Sequence, residues 1–129
     1  MTYSSAIFNG KNDNLELAQN NKYQKLADLS SIKKGDNILE IGCGWGGFSE
    51  FLAKNYDCQI TALTISREQF KFTTERMEKA NLTSKVKVVF CDYRNIKGQF
   101  DKVLSIEMFE AVGREYWKTF FEKIKTILK

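Results

Sequence analysis

Four glycines fall within six residues, Gly42-Cys43-Gly44-Trp45-Gly46-Gly47. They follow directly on a short apolar run, Asn37-Ile38-Leu39-Glu40-Ile41, and lead into a segment in which Phe48, Phe51 and Leu52 recur at helical spacing. Glycine loses more backbone entropy on folding than any other residue, so such clustering needs compensation. Between a strand and a helix it comes from close approach of a ligand to the backbone, at a helix N-terminus whose free N–H groups can meet an anion. The alternative, a tight strand-to-helix turn and nothing more, needs only one or two glycines. An apolar strand that feeds such a loop points to a buried parallel sheet.

The rest of the chain repeats the theme. Leu15, Ala18, Lys22, Leu26 and Leu29 predict a helix over residues 12–31, capped by Asn12 or Asp13. Strands are predicted over 37–41, 59–65, 85–91 and 100–106. Between the second and third lies a helix opened by Ser66, with Gln69 at the capping-box position. Residues 114–128 form a last helix with Tyr116, Trp117, Phe120, Phe121, Ile124, Ile127 and Leu128 on a broad apolar face. Alternating strands and helices imply βαβ units, an α/β domain with a parallel sheet of about four strands, and helices on both faces. No strand is expected after the last helix, which leaves the sheet small and the fourth strand with an unpaired edge that favours self-association.

At 129 residues one domain is expected, with residues 1–35 as an N-terminal helical cap. The sequence has no histidine, which removes Ser/His/Asp and Cys/His nucleophile systems and every His-containing zinc site. No metal site is expected. Three cysteines, Cys43, Cys58 and Cys91, fit reduced thiols rather than a disulfide framework. The net charge of +4 is mild and spread along the chain, so no nucleic-acid partner is expected. No apolar run approaches the roughly 18 residues of a membrane span, and the polar start lacks signal-peptide character, so a cytoplasmic location is expected.

Gly42, Gly44 and Gly47 satisfy G-x-G-x-x-G, so a dinucleotide site has to be weighed. That fingerprint wants an acid about 20 positions on, at the end of the second strand, and the chain has Leu63-Thr64-Ile65-Ser66 there. An acid stands instead two residues before the first glycine, at Glu40. A carboxylate there suits a ligand with an amino group and a positive sulfur better than a pyrophosphate.

The segment LEIGCGWGGFSEFLA resembles motif I of S-adenosylmethionine methyltransferases, in the form typical of the cyclopropane-fatty-acyl-phospholipid synthases and the related mycolic acid cyclopropane synthases. The resemblance continues through ALTISREQ, VVFCDYRNIKGQFDKVLSIEMFEAVG and REYWKTFFEKIKTILK, with Tyr3-Ser4-Ser5-Ala6-Ile7-Phe8 approximating the family's N-terminal segment. It covers nearly the whole chain but only the first part of the family's catalytic domain, and implies a Rossmann-like methyltransferase fold with an incomplete sheet.

By this resemblance Gly42, Cys43, Gly44 and Gly46 pack against the methionine part of S-adenosylmethionine, while Glu40 organises the loop. Thr64, Ile65 and Gln69 hold the ribose, Tyr93 and Arg94 the adenine, and Tyr3 and Ser4 fold over the cofactor. The implied reaction moves the methyl group to the double bond of an unsaturated phospholipid acyl chain, and proton loss closes a cyclopropane. Glu110 and Ser5 would mount a bicarbonate ion that takes the proton, with aromatic faces such as Phe109 stabilising the cation. Ala111 and Ser5 depart from the family's His and Cys at this site. Contact with the inner membrane face is a further implication. The alternatives are a non-catalytic S-adenosylmethionine-binding fragment, another small-molecule methyltransferase, and an NAD-binding unit.

Overall fold

The computed structural model describes residue 2 and residues 4–129. Strands β1 (Asn37–Ile41), β2 (Gln59–Thr64), β3 (Val86–Phe90) and β4 (Lys102–Leu104) form one parallel sheet in the order β3-β2-β1-β4. Helix α1 (Leu15–Ser30) precedes β1, α2 (Gly47–Asn55) joins β1 to β2, α3 (Arg67–Lys79) joins β2 to β3, and α4 (Trp117–Ile127) follows β4. The expected α/β fold is present.

The period-two alternation of β1 sorts its side chains between two cores. Ile38 packs with Tyr23 of α1, Phe48 and Leu52 of α2 and Met77 of α3. Leu39 and Ile41 pack on the opposite face with Phe100 and with Phe120 and Ile127 of α4. Both faces are covered, which is why β1 reads as a continuous apolar run. Because β1 leads to β2 on one side and lies against β4 on the other, the chain diverges at its carboxyl end and leaves a crevice there.

Several expectations need correcting. Asn14, not Asn12 or Asp13, caps α1 by accepting the Leu17 amide at 2.8 Å. The buried face of α1 is Ala18, Gln19, Tyr23 and Ala27, whereas Leu15 and Leu29 are exposed. The Tyr23 ring sets this rotation, packing on Phe48 and Phe51 with centroids 5.5 and 5.6 Å away. Strand β4 is shorter than expected because the Ser105 hydroxyl, rather than a backbone amide, donates to the Ile41 carbonyl at 3.0 Å. Beyond α4, Leu128 forms a parallel bridge with Phe100, so the outer edge of the sheet beside β4 is met at its start by the chain itself. Residues Arg114–Tyr116 form a 3-10 turn, and on α4 only Phe120 and Ile127 are buried while Trp117 and Phe121 stay exposed.

Candidate functional site

Two cavities open at the carboxyl ends of β1, β2 and β4 and share Gly42, Thr64, Ile65, Met108 and Ala111 as walls, making one continuous trough. The first, of about 320 Å³, is bounded by Glu40, the glycine loop, Gln69, Ser4 and Glu107. The second, of about 470 Å³, reaches Cys91, Asp92, Tyr93 and Arg94 after β3. Volumes of this size suit a small ligand or cofactor.

The four loop glycines serve different ends. Gly42, Gly44 and Gly46 all have positive φ, which side-chain-bearing residues rarely adopt. A Cβ on Gly42 would stand 2.7 Å from Met108, one on Gly46 2.6 Å from Thr73, and one on Gly47 2.5 Å from the Tyr23 hydroxyl. Protein atoms press on all three positions, so packing by itself requires glycine there, although Gly42 also lines both cavities. Gly46 lines neither cavity. Gly44 differs, since it lines the cavity and a Cβ there meets nothing within 4 Å. The loop is braced by the Thr73 hydroxyl, which donates to the Gly44 carbonyl at 3.1 Å, and by Arg76, which donates to the Trp45 carbonyl at 3.1 Å and pairs with Glu50.

Glu40 is 2 % exposed, on the cavity wall at the end of β1, and accepts a hydrogen bond from the Ser49 hydroxyl. Burial, only partly offset by Ser49, pushes its carboxyl up to about 7. An acid whose pKa is raised by folding stabilises the native state fully below its unfolded pKa, and that contribution is lost as pH rises through the folded pKa. Relative to Glu40→Gln, the chain is therefore expected to lose stability between about pH 4.5 and about pH 7, with a slope of up to about 1.4 kcal/mol per pH unit. Urea midpoints measured across that range check this, and parallel profiles for the two proteins would refute it. Cys43 is also buried, and desolvation with the Glu40 charge beside it pushes the thiol up to about 12, so it stays protonated at neutral pH.

Thr64 and Gln69 come together as expected. The Thr64 hydroxyl donates to Gln69 Oε1 at 2.8 Å and accepts from the Ser66 amide at 3.1 Å. Gln69 thus spends its side chain on the cavity wall rather than on a capping box, although Ser66 does cap α3 through the Gln69 amide. Ile65 lies between the two cavities and is 73 % exposed. Tyr93 lines the second cavity, its ring edge-on to Phe120 at 5.1 Å, and the Arg94 guanidinium donates two hydrogen bonds to Asp92, at 2.7 and 3.0 Å. The Arg94 guanidinium holds the Asp92 carboxyl below its ordinary range.

The N-terminal segment crosses the first cavity. Ser4 lines it, with its carbonyl accepting from Gln19 at 2.9 Å and its hydroxyl meeting Lys22. Thr2 and Tyr23 share a hydrogen bond of 2.9 Å. Tyr3 lies outside the described residues. The Ser5 amide donates to the Glu107 carboxylate, at 3.0 and 3.2 Å from its two oxygens. Glu110 is exposed, in the 3-10 turn Phe109–Ala111, and lines neither cavity. Phe109 also lines neither, because it packs against Trp117, Phe120 and Phe121 at 5.1–5.3 Å. A second acid beside Glu40 in the lining of the first cavity is Glu107, which sequence reasoning missed. No periodicity marks it, and its partner Ser5 is 102 residues away in the chain.

Residues 1–129 match the family described as mycolic acid cyclopropane synthetase. The chain belongs to that family. Among cyclopropane synthetase relatives, it is 40% identical to the cyclopropane-fatty-acyl-phospholipid synthase of Escherichia coli (strain K12) over 129 residues, all of this chain and 32% of that protein. It is 38% identical over 126 residues to a probable fatty acid methyltransferase of Pseudomonas putida, covering 96% of this chain and 32% of that one. The chain therefore spans about a third of the length of these relatives. The mycolic acid cyclopropane synthase CmaA1, solved in complex with SAH and CTAB, superposes with a TM-score of 0.93 at 26% identity, over 99% of this chain and 45% of that one. The cyclopropane synthase MmaA2 from Mycobacterium tuberculosis gives 0.94 at 27% identity with the same coverage. The family's Rossmann-like methyltransferase fold is thus the fold of this chain.

Proposed function

We propose that the trough binds S-adenosylmethionine, and that the chain is the cofactor-binding part of a methyltransferase that modifies the double bond of an unsaturated lipid acyl chain. The observation that carries this reading is Gly44, whose missing side chain leaves open space in a cavity walled by a carboxylate and by a hydroxyl–amide pair. These groups fit the cofactor: the backbone at Gly42, Cys43 and Gly44 and the Glu40 carboxylate would take its amino-acid end, Thr64, Ile65 and Gln69 the ribose, and Tyr93 and Arg94 the base. Ser4, and Tyr3 beside it in sequence, would close over it. When bound, S-adenosylmethionine supplies an electrophilic methyl group. The chain's own contribution is to align that group and exclude water, since an alkene is a weak nucleophile.

Glu110 and Ser5 are proposed for the proton-removal side from their place in the family's motifs; neither lines a cavity, but Ala111, next to Glu110, does, as does Glu107, which accepts from the Ser5 amide. The described residues do not complete a bicarbonate site: the Ser5 amide is engaged by Glu107, and Ala111 brings no donor. A phospholipid acyl substrate, contact with a membrane surface and self-association belong to the same proposal. No helix among the described residues is long and apolar enough to cross a membrane.

Calorimetric titration tests the reading. S-adenosylmethionine is expected to bind and NAD is not, because the end of β2 carries Thr64 where a dinucleotide site needs an acid. Saturable NAD binding without S-adenosylmethionine binding would overturn it. Gln69→Ala is expected to weaken S-adenosylmethionine binding by about 0.5–1.5 kcal/mol, the worth of one neutral hydrogen bond. Unchanged affinity would remove Gln69 from the ribose site.

A further inference from the structure

We propose that Thr73 is a positioning residue for the cofactor: its hydroxyl sets the orientation of the Gly44–Trp45 peptide in the wall of the first cavity, and affinity for S-adenosylmethionine depends on that orientation. The inference rests on the reading that the trough takes this cofactor. Thr73 lines neither cavity of the trough, so it acts through the loop alone. Threonine is a mediocre helix former, and inside a helix its hydroxyl commonly bonds the carbonyl one turn back. Thr74 does this, donating to the Phe70 carbonyl at 2.8 Å. Thr73 does not. Its hydroxyl leaves α3, donates to the Gly44 carbonyl at 3.1 Å and also meets the Cys43 thiol. Its Cγ2 methyl fills the space that a side chain on Gly46 would need, 2.6 Å from the position of the missing Cβ. One side chain, 0 % exposed, thus touches three residues of the loop.

Peptide geometry gives these contacts their consequence. A trans peptide unit carries its C=O and N–H on opposite sides, so holding the Gly44 carbonyl toward α3 turns the Trp45 N–H away from that helix. Gly44 stands at φ +55°, and glycine adopts positive and negative φ about equally readily, so the backbone's own preference does not fix this plane. The Thr73 hydroxyl does. Gly44 and Trp45 both line the first cavity, so the orientation of the peptide they share belongs to the wall that the ligand meets. Arg76 holds the following carbonyl, that of Trp45, from the same helix. Two successive peptide planes are therefore set by α3, and because Arg76 remains in place, loss of the Thr73 hydroxyl weakens binding without abolishing it.

The test is calorimetric titration of S-adenosylmethionine into the whole chain and its variants, with urea midpoints measured on the same proteins. Thr73→Val keeps the shape and removes the hydroxyl, and affinity is expected to fall about three- to tenfold, the worth of one hydrogen bond. Thr73→Ser keeps the hydroxyl and removes the methyl that faces Gly46. It is expected to bind within about twofold of the parent, since the hydrogen bond is retained, although loss of a buried methyl lowers its urea midpoint. Affinity then follows the hydroxyl rather than stability. If the valine variant folds poorly, Thr73→Ala also lacks the hydroxyl without adding bulk, and the same fall is expected. Thr74→Val removes the neighbouring hydroxyl and should leave affinity where it is. Parent-like affinity in a folded variant without the Thr73 hydroxyl overturns the proposal. Equal weakening in the serine and valine variants would make Thr73 a packing residue only and overturn it too, as would an equal effect from Thr74→Val. Failure of the unmodified chain to bind S-adenosylmethionine overturns the reading of the cavity, and this proposal with it.

Discussion

Gly44→Val is expected to weaken S-adenosylmethionine binding by at least about a hundredfold, or about 2.7 kcal/mol. The space beside Gly44 holds no protein atom within 4 Å, so the added methyl groups stand in the cavity and compete with the ligand for it. The same residue has φ +55°, where a β-branched side chain is strained by about 1–2 kcal/mol, so affinity has to be measured on protein shown to be folded by circular dichroism. Gly44→Ala, which adds one carbon, should fall between the two. Affinity equal to that of the parent in the folded valine variant would place the cofactor elsewhere.

Gly46→Ala is expected to fail by another route, losing about 2–4 kcal/mol of stability while the folded fraction still binds ligand within a few-fold. Its Cβ would stand 2.6 Å from Thr73 Cγ2 and 3.1 Å from Met77 Cε, and its φ is +82°. Thr73 and Met77 are fully buried, so neither can move aside cheaply. Thr73 also holds the Gly44 carbonyl, so displacement would reach the cavity only through the loop. Thermal or urea unfolding alongside calorimetry separates the two effects. Undiminished stability with lost binding would put Gly46 against the ligand after all.

That two glycines two residues apart should differ in this way shows where sequence reading stops. The clustering of glycine after an apolar strand is a local pattern, and it marked the loop at the carboxyl end of β1 because strand, turn and helix each have a period visible within a few residues. What each glycine is for depends on which atoms face it. Those atoms, Met108, Thr73 and Tyr23, come from the segment after β4, from α3 and from α1. The Thr64–Gln69 pair was legible because a strand end and the first turn of the next helix are close in sequence as well as in space. Glu107 was not, since Glu107 and Glu110 lie three residues apart in one run and only the turn Phe109–Ala111 leaves one on the cavity wall and the other exposed.

The sequence by itself determined the order of elements, the parallel sheet, the placement of the loop at the carboxyl end of β1 and the family to which the chain belongs, because each follows from periodicity or from a contiguous motif. Only the tertiary structure decided the rest. Glu40 titrates near neutrality because two cores close around β1. The N-terminal segment is tied across the cavity through Gln19, Lys22 and Glu107. Helix α1 turns its Tyr23 side inward because Phe48 and Phe51 are there to meet it. Each of these depends on desolvation or on contact between segments far apart in the chain, and neither quantity exists until the chain has packed.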